Sequence, residues 1–101
     1  MTIQVHHGDL PAHVKFQGSV AVDTETMGLN HMRDRLCVVQ LADHAGNVHI
    51  VRFAPHEFEA PNLVKLFADE HVLKIFHFAR FDLGAIKNYL DVLPYPIYCT
   101  K

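Results

Sequence analysis

The chain lacks the excess of positive charge that is typical of proteins that bind long nucleic acids. Its 101 residues include 9 Lys and Arg against 11 Asp and Glu, which gives a formal net charge of −2. Because long duplexes are bound largely through cationic contacts to phosphate, this balance argues against a protein that binds long polymers. It leaves open a short oligonucleotide that is held mainly by metal ions at one phosphate.

Cysteine and long apolar runs are also scarce. The two cysteines, Cys37 and Cys99, predict buried free thiols in a reducing compartment rather than a disulfide framework. The N-terminus has no signal-peptide pattern, and no apolar run approaches membrane-spanning length. We therefore expect a cytoplasmic protein with no membrane partner.

Nine histidines are present, but their spacing does not favour a zinc site. The sequence contains neither a His-x-x-x-His pair nor a Cys-x-x-Cys motif. Most of these histidines are expected on the surface. With half of its residues hydrophobic and a fifth charged, the chain has the composition of a globular domain.

Apolar periodicity and turn residues predict a mixed α/β sheet. The predicted strands lie at 20–23, 35–42, 48–52, 72–76 and 97–99, and the predicted helices at 62–69 and 78–90. A five-residue turn joins the second and third strands as a hairpin. Because the sequence stops just after an apolar strand pattern, we expect a single domain over residues 1–101 that is cut short.

An Asp-x-Glu pair closes the first predicted strand. Side chains alternate along a strand, so Asp23 and Glu25 point to the same face with Cα atoms roughly 6–7 Å apart. Two carboxylates at the edge of a core strand favour a cation between them, and two divalent metal ions roughly 4 Å apart fit that span. The alternative is a pair of solvated residues in a strand-ending turn.

A third carboxylate, Asp82, falls in the second predicted helix. Phe78 and Ile86 flank it at four-residue spacing, so Asp82 shares the core-facing stripe of that helix. An ionised carboxylate facing the core needs a partner. Either the helix dipole favours Asp82 in the first turn, or Asp82 points past the helix start toward Asp23 and Glu25 and binds a metal ion with them.

Three segments carry a family resemblance: VAVDTETMGL, RLCVVQLA and KIFHFARFDLGAI. They resemble the first two motifs of the DEDD 3'-5' exonucleases, and within that group ribonuclease D and nano-RNase C, from about Val20 to the C-terminus. The segment IYCTK resembles the strand that follows the second motif. The resemblance implies a ribonuclease-H-like mixed sheet, with three antiparallel strands first and strand–helix units after them. It also implies that the C-terminal helices of that fold are missing.

The resemblance further implies the roles of individual residues. Asp23 would bridge two divalent ions, Mg²⁺ or Mn²⁺, Glu25 would bind the ion that activates water, and Asp82 would help to hold the second ion. The residues that would contact the substrate are Thr24, Met27, Gly28, Leu29, His77 and Phe81. Leu29 corresponds to a residue that wedges between the last two bases, or it is an ordinary loop residue. His77 and Phe81 line the same pocket, or they serve a strand end and the core.

The implied reaction releases nucleoside 5'-monophosphates one at a time from the 3' end of short single-stranded RNA or dinucleotides. The family's third motif is Tyr-x-x-x-Asp or His-x-x-x-x-Asp. Four residues after Tyr89 and Tyr95 this sequence has Leu93 and Cys99 instead of Asp. His77 and Asp82 have the second spacing, but Asp82 already belongs to the second motif. We therefore expect the chain alone to be nearly inactive.

Two alternatives remain: an inactive domain that binds nucleotides or short RNA or serves assembly, and part of a DNA-proofreading exonuclease. An incomplete sheet would also favour self-association into a homo-oligomer.

Overall fold

Six strands and two helices make up the part of the chain that the computed structural model describes, residues 2–28 and 34–101. The elements are β1 Ile3–His7, β2 Ser19–Thr26, β3 Leu36–Ala42, β4 Val48–Arg52, α1 Pro61–Ala68, β5 Leu73–Phe76, α2 Ala79–Leu90 and β6 Ile97–Cys99. Each predicted strand and helix is present with its ends within one residue of the prediction, except that β2 continues to Thr26, past its predicted end at Asp23. The sequence pattern missed β1, because its five residues mix exposed apolar and histidine side chains without a buried stripe.

The sheet is mixed, with the strand order β1-β4-β3-β2-β5-β6. The central strands β2, β3 and β4 pair antiparallel, as expected for the first three predicted strands. β1 adds parallel to β4 at one edge, while β5 and β6 add parallel beyond β2 at the other. Because β2, β5 and β6 are parallel to one another, their carboxyl ends all lie at the same end of the sheet.

The core lies on one face of the sheet, where both helices pack. Thr24, Val39 and Val51 stand side by side in register on β2, β3 and β4, and all three are buried. Val39 and Val51 belong to an apolar cluster that also includes Leu63 and Phe67 of α1, together with Ala85, Ile86 and Leu90 of α2. Since side chains alternate along β2, the two neighbours of Thr24 point to the opposite face.

That opposite face carries no helix among the described residues. Asp23, Gln40 and Ile50 stand in register there, and the first two are exposed. At the β1 edge of this face, Ile3 is 66% and Val5 is 50% exposed. The open face therefore combines apolar side chains with the carboxylates that end β2.

A remote aspartate caps the first helix. Ala60 precedes α1 and makes no side-chain capping bond. Asp9, far away in the sequence, accepts hydrogen bonds from the backbone N–H groups of Asn62 and Leu63 at 3.0 and 2.9 Å. These bonds satisfy donors that a helix leaves unpaired at its start, and they fix the segment after β1 against α1.

The structure corrects two expectations about buried side chains. Cys37 and Cys99 are both free, as predicted, but Cys37 is only half-buried and Cys99 is exposed. Phe78 does not share the buried stripe of α2, because it precedes the helix with a φ of 56° and its side chain is 59% exposed. Among the histidines, His49 is buried on β4, where its Nδ1 lies 3.0 Å from Nε2 of His6.

Candidate active site

Asp23 and Glu25 occupy the carboxyl-terminal half of β2 on the open face. Asp23 stands opposite Gln40 and Glu25 opposite Val38 on β3, and both carboxylates are exposed. The pairing register shifts just beyond Glu25, which is where the strand leaves the regular ladder. The alternation of β2 therefore directs both acids to the same face of the sheet, as the sequence predicted.

Asp82 reaches the same strand from the other side. It lies in the first turn of α2, its exposed fraction is 4%, and its Oδ1 accepts a hydrogen bond from Thr24 Oγ1. Burial raises the pKa of this carboxyl despite the Thr24 hydrogen bond, and the nearby charge of Asp23 raises it further. Asp82 is thus a first-turn residue whose side chain is directed at β2, and its binding of a metal ion together with Asp23 and Glu25 stays a prediction.

The structure brings two of the three predicted acids into electrostatic contact. The negative charge of Asp23 raises the pKa of Asp82, so these two carboxylates interact. Within the described residues, however, no three His, Cys, Asp or Glu side chains lie close enough together to hold a metal ion. Glu25 therefore does not complete a cluster with the other two. In the same part of the chain, no Lys, Arg or His forms an ion pair with any of the three acids.

These acids fit a divalent cation by their chemistry. They offer only carboxylate oxygens, which Mg²⁺ and Mn²⁺ prefer as ligands. The raised pKa of Asp82 reflects burial and a neighbouring negative charge, and the described residues supply no cationic partner. A bound cation would favour the ionised carboxylate and oppose both of these effects.

The turn after β2 is closely packed where substrate contacts are predicted. Met27 is 67% exposed, and its backbone N–H donates to the carbonyl of Arg35 at 2.9 Å. A Cβ atom on Gly28 would lie 2.4 Å from Oδ2 of Asp34, so a larger residue would force the two apart. Leu29 lies outside the described residues.

His77 and Phe81 flank the start of α2. The exposed His77 follows β5, and its Nδ1 lies 2.9 Å from Oγ1 of Thr100. Phe81 is half-buried and directly precedes Asp82. Both residues follow the carboxyl end of β5, which pairs parallel to β2 and so lies at the same end of the sheet as the end of β2.

The sequence did not predict two hydrogen bonds near the candidate site. The Thr24 side chain, and not only its backbone, takes part in the site because it holds Asp82. The only available signal was its position between two outward-facing acids. Cys99 is the other case: its Sγ accepts a hydrogen bond from the backbone N–H of Ala79 at 3.3 Å, which lowers the pKa of the thiol. Its place at the end of β6 gave no hint of this contact.

Comparison with known proteins gives a consistent family. The sequence model of a 3'-5' exonuclease family matches residues 7–101. Ribonuclease D of Sphingobium indicum is 38% identical over 82 residues, which are 81% of this chain and 21% of that protein. Ribonuclease D of Zymomonas mobilis is 32% identical over 82 residues, with the same shares covered.

Solved structures agree with the sequence relatives. Brucella melitensis NrnC bound to pGG has a TM-score of 0.94 and 46% identity, and the match covers 100% of this chain and 50% of NrnC. Escherichia coli RNase D, at 24% identity and a TM-score of 0.65 over 83% of this chain, shares the fold. The chain thus spans about half the length of NrnC and about a fifth of the curated ribonucleases D. Neither helix of the described residues is long and apolar enough to cross a membrane. The chain belongs to the 3'-5' exonuclease family and has the ribonuclease-H-like fold of its relatives.

Proposed function

We propose that this chain carries the acidic site of a two-metal-ion 3'-5' exoribonuclease that acts on short single-stranded RNA or dinucleotides. The observation that carries the proposal is the position of Asp82, which is buried, bonded to Thr24 and electrostatically coupled to Asp23. The structures of NrnC bound to pGG and with bound Mg²⁺ support a short oligonucleotide and divalent ions as the ligands.

In this proposal Asp23, Glu25 and Asp82 hold two divalent ions, Mg²⁺ or Mn²⁺. Such ions supply a water of lowered pKa and stabilise the leaving 3' oxygen of a phosphodiester. Thr24 orients the Asp82 carboxylate through its hydroxyl. The terminal nucleotide is held by residues around the two motifs, namely Thr24, Met27, Gly28, Leu29, His77 and Phe81. The expected product is a nucleoside 5'-monophosphate.

The chain alone should turn over slowly. A third motif that supplies a fourth carboxylate and a water-orienting group has no separate counterpart in the sequence. Losing such a general base typically costs 10²–10⁴-fold in rate. The exposed Ile3 and Val5 at the edge of the open face favour self-association, so a homo-oligomer is part of the same proposal.

A second candidate is a domain of the same fold that binds short RNA without cleaving it. The absence of a three-residue metal cluster among residues 2–28 and 34–101 favours it. Such a domain would use the same turn after β2 and the same start of α2 to hold a nucleotide. The two candidates differ in metal-dependent hydrolysis.

The deciding experiment is incubation of the pure chain with a 5'-labelled RNA dinucleotide and Mn²⁺, analysed for mononucleotide release. We expect slow release by the parent chain and at least about 100-fold less from Asp23→Ala, because that variant would lose one of the three carboxylates proposed to hold the ions. Glu59→Ala, which removes an exposed acid outside the helices and strands, serves as the matched control and should retain the parent rate. A DNA dinucleotide tests the need for the 2'-hydroxyl.

Each outcome has a distinct meaning. Release that is unaffected by Asp23→Ala would show that the observed activity is not that of this site. Binding of the dinucleotide without release by any variant would favour the non-cleaving domain. Equal release from RNA and DNA would argue against a ribonuclease and for a general or proofreading exonuclease.

A further inference from the structure

Phe78 is an unusual residue at the junction between β5 and α2. It is the residue before the helix, its φ of 56° lies in the left-handed region, and its side chain is 59% exposed. A bulky residue is rare in that region, where Gly, Asn and Asp are much less strained. A Phe side chain also has no polar atom with which to cap α2. Asn at this position would satisfy the local backbone better than Phe does.

The ring is nevertheless held in place. His77 contacts it edge-on, with ring centroids 4.7 Å apart and an interplanar angle of 75°. His77 is in turn fixed by Thr100, whose Oγ1 lies 2.9 Å from its Nδ1. An exposed aromatic ring with a fixed neighbour loses little freedom when a flat ligand stacks on it.

Phe78 also lies beside the candidate active site. The backbone N–H groups of Phe78 and Ala79 both approach the sulfur of Cys99, and the charge of Asp82 acts on that same thiol. Phe78 is the residue directly before α2, and Asp82 lies in the first turn of that helix. A ligand bound at Asp82 and Asp23 would therefore pass within reach of the ring.

We propose that Phe78 is a substrate-binding residue whose ring stacks on a nucleobase of the bound RNA, a role that rests on the proposed function above. Unpaired bases in protein complexes commonly stack on exposed aromatic side chains, because every base offers a π-face. The strained backbone directs the ring into solvent, and His77 supports its edge. Both features keep the ring exposed to solvent, and neither adds to the packing of the core.

The test compares the parent chain with Phe78→Asn and Phe78→Tyr. Binding of the RNA dinucleotide pGG is measured by titration calorimetry with Ca²⁺ in place of Mg²⁺, and thermal unfolding is measured on the same samples. Phe78→Asn should bind about ten-fold more weakly, while its melting temperature rises by roughly 4 °C because the left-handed strain is relieved. Phe78→Tyr keeps an aromatic ring and should match the parent in both measurements.

A base-free ribose-phosphate analogue of pGG separates stacking from a merely structural effect. The parent and Phe78→Asn should bind this analogue equally weakly, since no base remains to stack. Unchanged binding of pGG by Phe78→Asn would overturn this inference and leave the proposed function standing. The same holds if Phe78→Asn alters only the oligomeric state or lowers the melting temperature. No binding of pGG by the parent chain would overturn both.

Discussion

Asp82→Asn is expected to make the chain about 1 kcal/mol more stable at pH 7 and to abolish hydrolysis by the site. The pKa of Asp82 is raised by burial first and also by the charge of Asp23, so the fold disfavours its ionised form. Asn is uncharged, and its amide oxygen can still accept the hydrogen bond from Thr24. Stability and function should therefore change in opposite directions.

The stability difference between Asp82→Asn and the parent should depend on pH, because only the parent has a titrating carboxyl at this position. A carboxyl with a raised pKa in the fold contributes most stability below the ordinary aspartate pKa, about 3.9, and loses that contribution as pH rises through the raised pKa. Urea unfolding in EDTA from pH 4 upward should therefore show the advantage of Asp82→Asn growing with pH. Glu59→Gln, which neutralises an exposed acid, is the control and should leave the curve unchanged. A variant less stable than the parent at pH 7 would contradict this account.

Lys74→Ala is expected to lower the free energy of unfolding by about 3 kcal/mol. Lys74 lies on β5 with no exposed surface, and its Nζ donates to the carbonyl of Tyr95 at 2.9 Å and to that of Asp69. The side chain joins the end of α1 to the segment before β6. Its removal leaves two carbonyl groups without their donor and opens a cavity in the core.

The matched variants for this prediction are Lys74→Met and Lys65→Ala. Methionine fills the space but cannot donate, so it should lose less stability than alanine and still fall below the parent. Lys65 is exposed on α1, and its replacement should change stability by less than about 0.5 kcal/mol. Urea denaturation measures all three. An Ala variant as stable as the parent would show that the bonds of Lys74 to Tyr95 and Asp69 are not needed.

The sequence predicted those parts of the fold in which local pattern and tertiary packing agree. The β3–β4 hairpin was readable because its turn residues and β-branched strands indicate the same structure. The alternation of β2 correctly placed Asp23 and Glu25 on one face. β1 was missed because an edge strand that presents Ile3 and Val5 to solvent has no buried stripe to detect.

The site was less predictable because its contacts join distant segments. Helical spacing correctly indicated that Asp82 is buried, but nothing in the spacing shows that Thr24, 58 residues away, would bond to it. The same spacing placed Phe78 in the core and was wrong, because the backbone turns left-handed just before α2 begins. Periodicity assumes that a helix continues through its first residues, and this junction breaks that assumption.

The central claim is that these acids form a metal site. Its most direct test is to measure Mn²⁺ binding by titration calorimetry for the pure chain, for Asp23→Asn and for the exposed-site control Glu59→Gln. We expect the parent and Glu59→Gln to bind Mn²⁺ alike, and Asp23→Asn to bind it at least about ten-fold more weakly, because that variant loses one of the proposed carboxylate ligands. Equal Mn²⁺ affinity in the parent and in Asp23→Asn, or no binding by the parent, would contradict the assignment of these acids as a metal site.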